Sequence, residues 1–216
     1  MVESEQTRVL IDTTPDMREQ LLAAEVSLLD AVIWTHDHAD HANGVDDLRQ
    51  VQARHGGVVP AYARPASRAV LARRFDYVFE GRGSYPPTAQ MQDLPEILAI
   101  GDIAIRCVDQ PHGSITSAGL RFEHAGRSIA YSTDFNRMTE EMSTLYEGLD
   151  VWIVDCLRTA PHPTHPHLAQ VLDWIAALRP RRAIFTHMDV TMDYARLRAS
   201  LPANVEPGYD GLEVLV

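Results

Sequence analysis

A chain of 216 residues with 45% hydrophobic and 23% charged residues can bury a real core, which excludes disorder as a description of the whole. A formal net charge of −11 opposes binding to polyanions, because nucleic-acid affinity rests on Lys and Arg neutralising phosphates, and no basic run exceeds the pairs Arg73–Arg74 and Arg181–Arg182. No stretch approaches about eighteen consecutive apolar residues, and the N-terminal MVESEQTRVLIDTTPD is acidic without an apolar core, so neither a membrane span nor a signal peptide is expected.

In chain order, Arg8–Thr13 reads as a short apolar strand and 16–24 as a helix. The nearly continuous apolar run Asp30–Thr35 suits a strand buried on both faces. A helix is expected from Asp40 to His55, stopped by Gly56–Gly57, followed by a strand over Val58–Ala63 and a helix entered through Pro65. Ile103–Val108 alternates as a half-buried strand does, and Ala125-Gly126-Arg127 marks a hairpin between Leu120–His124 and Ser128–Tyr131. Val151–Val154 is a further buried strand, His167–Leu178 has helical apolar spacing, and Arg182–Thr186 and Leu212–Val216 read as closing strands. Runs of strands with scattered helices imply an α+β fold, a β-core covered by helices, in one domain over 1–216. Cys107 and Cys156 lie far apart without a CxxC spacing; they read as separate buried thiols, which suits a reducing, cytoplasmic setting.

The densest chemistry is Thr35-His36-Asp37-His38-Ala39-Asp40-His41, where a buried strand delivers three imidazoles and a carboxylate into one loop. Such nitrogen and oxygen donors are natural ligands for zinc, manganese or iron. His36 and His38 converge on one ion only if the backbone between them is extended, while Asp40 and His41 project elsewhere and can serve a second. The pattern of apolar strand and then ligand recurs at His112, Asp134 and His187. Asp12 and Asp37 are candidates for orienting ligand imidazoles.

This HisXHisXAspHis motif, followed by a single His, a single Asp and a late His, resembles the metallo-β-lactamase-fold hydrolases. The resemblance implies an αββα sandwich of two β-sheets covered by helices, with two divalent ions, manganese or zinc foremost and iron as an alternative. It places His36, His38 and His112 on one ion, Asp40, His41 and His187 on the other, and Asp134 between them. The segment LRTAPHPTHPHL, with His162, His165 and His167, is similar to the Pro-His-Pro-Thr-His element of phosphodiesterases like the cyclic phosphodiesterase of bacterial phosphonate breakdown. There the histidine matching His165 faces the phosphate and assists the leaving group; His162 and His167 read as loop residues stiffened by prolines. The implied activity is hydrolysis of small or cyclic phosphodiesters, with two ions roughly 3.5–4 Å apart sharing a hydroxide and stabilising an in-line displacement. His165 and Asp40 are the residues expected to take part in catalysis directly. Hydrolysis of carboxylic esters, lactones or thioesters by the same metal site is the alternative, and a non-enzymatic metal-binding protein is a more distant one.

Relatives of that subfamily usually open with one more strand, a Gly- and Ser-containing loop and a cysteine cluster for a structural zinc. This chain begins after that region, and Val190 stands where the zinc's partner histidine would fall, so no structural zinc is expected. The open strand edge is then expected to be covered by a rearranged loop or by a second copy of the chain. The expected partner is a small phosphodiester, with no nucleic acid and no membrane.

Overall fold

The computed structural model describes residues 1–216, which divide into two units, Met1–Ala104 and Ile105–Val216. The first contains β1 (Val2–Glu3), β2 (Arg8–Ile11), α1 (Met17–Ala23), β3 (Ala31–Trp34), α2 (Ala39–Ala42), α3 (Leu48–His55), β4 (Val59–Ala63), α4 (Pro65–Arg74), α5 (Asp76–Phe79) and β5 (Ala89–Asp93). Its strands form a five-stranded sheet in the order β1-β2-β3-β4-β5, parallel from β2 to β5. All four residues of β3 are buried, as a parallel strand covered on both faces requires. Leu10, Val32, Trp34, Leu48, Val51 and Leu71 lie in the hydrophobic cluster of this unit.

The single helix expected from Asp40 to His55 is broken. α2 ends at Ala42, a 3-10 turn spans Val45–Asp47, and α3 starts at Leu48. Gly44 explains the interruption: its N–H donates to the Thr13 carbonyl at 2.9 Å, and a Cβ there would lie 2.0 Å from the Thr14 carbonyl oxygen. The chain is drawn against the loop after β2, an approach that only a residue without a side chain permits.

The open edge of β2 is covered by the chain itself. The Ser4 hydroxyl accepts from the Thr7 N–H at 3.0 Å, folding the first residues back so that Val2 pairs with Val9 and Glu3 with Arg8. This two-residue antiparallel strand blunts the edge as short edge strands do.

Strand β6 (Ile97–Ile100) precedes β7 (Ile103–His112), within which the two units divide. There follow β8 (Ile115–His124), β9 (Arg127–Ser132), α6 (Glu140–Tyr146), β10 (Val151–Asp155), α7 (Leu168–Leu178), β11 (Arg182–Thr186), α8 (Tyr194–Ser200) and β12 (Val205–Pro207). The second sheet has seven strands in the order β12-β11-β10-β9-β8-β7-β6. β9 to β12 are parallel, and β8 joins β9 through a two-residue hairpin at Ala125 (φ 49°) and Gly126 (φ 76°). Two positive φ values match the right-handed twist of the flanking strands. Around Trp152 and Tyr146, stacked at 5.4 Å, and Phe135 and Trp174, stacked at 5.2 Å, lies the core of the second unit.

The closing strand is β12, not Leu212–Val216. β12 takes the edge beside β11, the Gly208 N–H then bonds the Phe185 carbonyl at 2.9 Å, and the residues beyond form no strand, with Leu215 97% exposed. Neither cysteine is in a disulfide, and both are buried. No helix is long and apolar enough to cross a membrane.

Candidate metal centre

In the first unit, β3 carries the chain to Thr35 and His36, both fully buried. His38 has extended backbone (φ −65°, ψ 155°) where it opens α2, and its ring meets that of His36 edge-on at 4.5 Å. Asp40 is exposed at the start of α2, whereas His41 is buried, 4.3 Å from the His36 ring. Asp12, just past β2, organises this loop. Its carboxylate accepts from the Thr35 N–H at 2.7 Å and the Thr35 hydroxyl at 2.9 Å, and lies 2.7 Å from Nδ1 of His41. At Asp37 the backbone carbonyl accepts from the Arg74 guanidinium.

In the second unit, His112 ends β7 with Nδ1 3.0 Å from the Thr164 carbonyl oxygen. Asp134, past β9, is 2% exposed and is approached by three imidazoles: Nε2 of His112 at 3.4 Å, Nε2 of His187 at 3.4 Å, and Nε2 of His165 at 3.9 Å. His165 stacks on His187 at 5.0 Å and meets His112 edge-on at 4.9 Å. Asp155 closes β10, wholly buried, and its Oδ2 lies 2.8 Å from Nδ1 of His165 while accepting the Asp134 N–H at 3.0 Å. Burial pushes the Asp155 carboxyl up from its ordinary pKa, and the bond to His165 opposes that rise. Asp134, Asp155, His165 and His187 form a group able to hold a cation, each donating one atom within 4.8 Å of the others.

Three residues of these clusters, Asp12 (φ 60°), Asp134 (φ 54°) and His187 (φ 56°), sit in the left-handed backbone region that non-glycine residues seldom occupy. Each follows a strand, so the turn that ends the strand carries the residue. Behind Asp134 a buried network fixes the turn. The Tyr146 hydroxyl donates to Gln110 Oε1 at 2.8 Å, Gln110 Nε2 donates to the Thr133 carbonyl at 3.0 Å, and the Ser117 hydroxyl donates to the Asp134 carbonyl at 2.8 Å.

The protonation pattern fits cations. A carbonyl can only accept, so His112 must donate from Nδ1 to Thr164, and a neutral ring then presents a lone pair at Nε2. That lone pair faces an Asp134 oxygen at 3.4 Å, and the His41 ring, held by Asp12, faces Asp40 Oδ2 at 3.2 Å in the same way. Lone pair against carboxylate is repulsive unless a positive charge lies between them. A divalent ion resolves the conflict with the His41 and His112 rings neutral. The nitrogen and oxygen donor set suits zinc, manganese or iron.

The sequence-derived residues thus fall into one cluster per unit: His36, His38, Asp40 and His41 in the first, and His112, Asp134, His165 and His187 in the second. His162 braces the loop, with Nδ1 3.3 Å from the Thr164 N–H, and His167 opens α7 without capping it. Asp155 went unrecognised in the sequence, although it obeys the rule that found the others, a carboxylate just past an apolar strand. Gln110 and Ser117 carry no such signal.

A model of the Beta-lactamase superfamily domain matches residues 7–188. Among solved structures, the chain is similar to a diphosphatase of the PhnP family, 33% identical with a TM-score of 0.88, over 97% of this chain and 80% of that one. It is also similar to Zn²⁺-bound PqqB from Methylobacterium extorquens, 20% identical with a TM-score of 0.79, over 100% and 86% of the two chains. An octanoyltransferase from Porphyromonas gingivalis is 29% identical over 97% of this chain, which spans only 42% of that longer protein. The structural likenesses show the fold, a metallo-β-lactamase-like α/β sandwich built on the two mixed sheets. With its matched domain, its fold and its buried His/Asp clusters, this chain belongs to the metallo-β-lactamase superfamily.

Proposed function

We propose that this chain is a metal-dependent phosphodiesterase acting on small or cyclic phosphodiesters. The observation that carries this reading is the ring of imidazoles around Asp134, with His165 beside it and turned by Asp155. On the order of ligands along the chain and the family they belong to, His36, His38 and His112 would hold one ion, and Asp40, His41 and His187 the other. Asp134 would bridge them. When bound, two divalent ions supply Lewis-acid charge to the phosphate oxygens and acidify the attacking water.

The residues of the chain do the rest. Asp12 and the Thr164 carbonyl hold the rings of His41 and His112 at Nδ1, which leaves Nε2 as the atom that would hold an ion. His165, 11% exposed at its side chain, holds a proton at Nε2 for the leaving alkoxide. Likeness to a PhnP-family diphosphatase supports a phosphorus-centred substrate and favours, as a second reading, a P–O–P bond in place of the diester.

The test is turnover by protein stripped of metal and reloaded separately with manganese and zinc. The panel holds bis(p-nitrophenyl) phosphate, a nucleoside 2′,3′-cyclic phosphate, a diphosphate ester, a lactone and a thioester. Metal-restored hydrolysis of the diesters supports the proposal. Hydrolysis confined to the diphosphate moves the chain to the second reading, and hydrolysis confined to the lactone or thioester removes phosphoryl transfer altogether.

A further inference from the structure

Helix α2 carries Asp40 and His41 on a single turn of four residues, Ala39–Ala42, opened by His38 without a side-chain cap bond. A helix that short does not hold itself in water, so its neighbours must fix it. Its end rests on Thr13, whose N–H donates to the His41 carbonyl at 2.8 Å and whose hydroxyl donates to the Ala42 carbonyl at 3.2 Å. Its start is reached from α4. Arg74, the last residue of that helix, donates from one guanidinium nitrogen to the Asp37 carbonyl and from another to Asn43 Oδ1 at 2.9 Å. One fork therefore spans residues 37 to 43, the segment that holds His38, Asp40 and His41. The fork stands on a fixed base. Leu71 and Val78, to either side of Arg74 in the chain, are buried in the cluster that holds Trp34, Val45 and Leu48. Phe79 packs edge-on against Trp34 at 5.9 Å, and the Tyr77 hydroxyl donates to Asp46 at 2.7 Å. The Arg74 guanidinium itself lies 5.0 Å over the Phe75 ring.

We infer that Arg74 is a positioning residue for the metal centre, a two-pronged brace that sets the spacing of His38, Asp40 and His41 across α2. This rests on the metal-dependent reading above and not on the substrate. Charge alone assigns Arg74 the opposite effect. A guanidinium beside a loop that holds divalent ions repels them, so by Coulomb's law its removal would tighten metal binding, whereas loss of a brace loosens it. The sign of the change separates the two. Lysine separates them again: it keeps the charge, yet a single ammonium does not reproduce the planar fork that serves two acceptors at once.

The experiment titrates metal-stripped wild type, Arg74→Ala, Arg74→Lys, Asn43→Ala and Tyr77→Phe with zinc against a chromophoric chelator, and records urea denaturation of the same stripped proteins. Arg74 is exposed, so its variants are expected to fold, with the stability of the stripped chain changed little. Arg74→Ala and Arg74→Lys are each expected to weaken zinc binding about tenfold. Asn43→Ala, which removes one of the two acceptors, is expected to lose less, and to add little on top of Arg74→Ala. Tyr77→Phe cuts the contact with Asp46, outside the braced segment; it is expected to lower stability while zinc affinity stays as in wild type. Zinc binding that is unchanged or tighter in Arg74→Ala, or fully restored by lysine, would overturn the inference while leaving the metal centre intact. A loss in Tyr77→Phe equal to that in Arg74→Ala would do the same, since it would make the effect one of general packing. Wild type that takes up no zinc would remove the metal-dependent reading, and the inference with it.

Discussion

Asp12 and His41 lie 29 residues apart in the chain, yet a carboxylate oxygen of one sits 2.7 Å from Nδ1 of the other, both buried. The same carboxylate holds the Thr35 backbone and hydroxyl, so it positions the end of β3 and the His41 ring together. Asp12→Ala is expected to weaken metal binding about 10- to 100-fold, since an imidazole without its orienting partner turns freely and is less basic. Competition against a chromophoric chelator measures this. Unchanged affinity would show that the strand end alone sets the ring.

Gly119 is packed against the network behind Asp134. A Cβ there would lie 1.8 Å from the Tyr146 hydroxyl and 2.8 Å from Gln110 Cδ, both in buried side chains with no room to withdraw. Gly119→Ala is expected to cost about 1–3 kcal/mol in urea denaturation through overpacking. It should also loosen metal binding, because Gln110 and Ser117 hold the carbonyls of the Asp134 turn.

Tyr146 makes a prediction about alkali. Burial pushes its phenol well above the ordinary value of 10.0, and burial likewise raises the Cys156 thiol. The folded state then keeps protons that the unfolded chain releases. Their contribution to stability is complete below the unfolded pKa values and is lost as pH rises towards the folded ones. Stability of the metal-stripped protein should therefore fall above about pH 9–10, by up to roughly 1.4 kcal/mol per pH unit for each retained proton. Tyr146→Phe should lower stability at neutral pH, since Gln110 Oε1 loses its donor, yet flatten the alkaline decline by one proton. An unaltered slope would mean that Tyr146 is not the group that titrates.

Much of the fold was legible wherever one force dominated. β3 is a run of apolar residues buried on every side, and the hairpin at Ala125-Gly126 rests on local turn chemistry; both follow from composition alone. β5 was not legible. Its sequence AQMQD is polar because it is an edge strand with little to bury, and tertiary pairing with β4 overrides its weak propensity. The interruption at Gly44 depends on contact with Thr13 and Thr14, thirty residues earlier in the chain, which no local pattern carries. The reverse holds at Leu212–Val216, where a strand-like apolar pattern finds no partner because Val205–Pro207 already occupies the edge of β11. In the site, ligand types just past apolar strands were readable as such. The partners that turn the rings were less so: a carbonyl such as that of Thr164 has no residue identity to recognise, and Asp155 differs from a turn residue only by what it touches.

Metal titration of the stripped protein, with bound ions and turnover of bis(p-nitrophenyl) phosphate read on the same samples, tests the proposal of a two-ion phosphodiesterase most directly. Turnover is predicted to be absent in the stripped chain, to rise with metal to a plateau at about two ions per chain, and to vanish in Asp134→Ala. Turnover that survives stripping, or an Asp134→Ala variant as active as wild type, would contradict it.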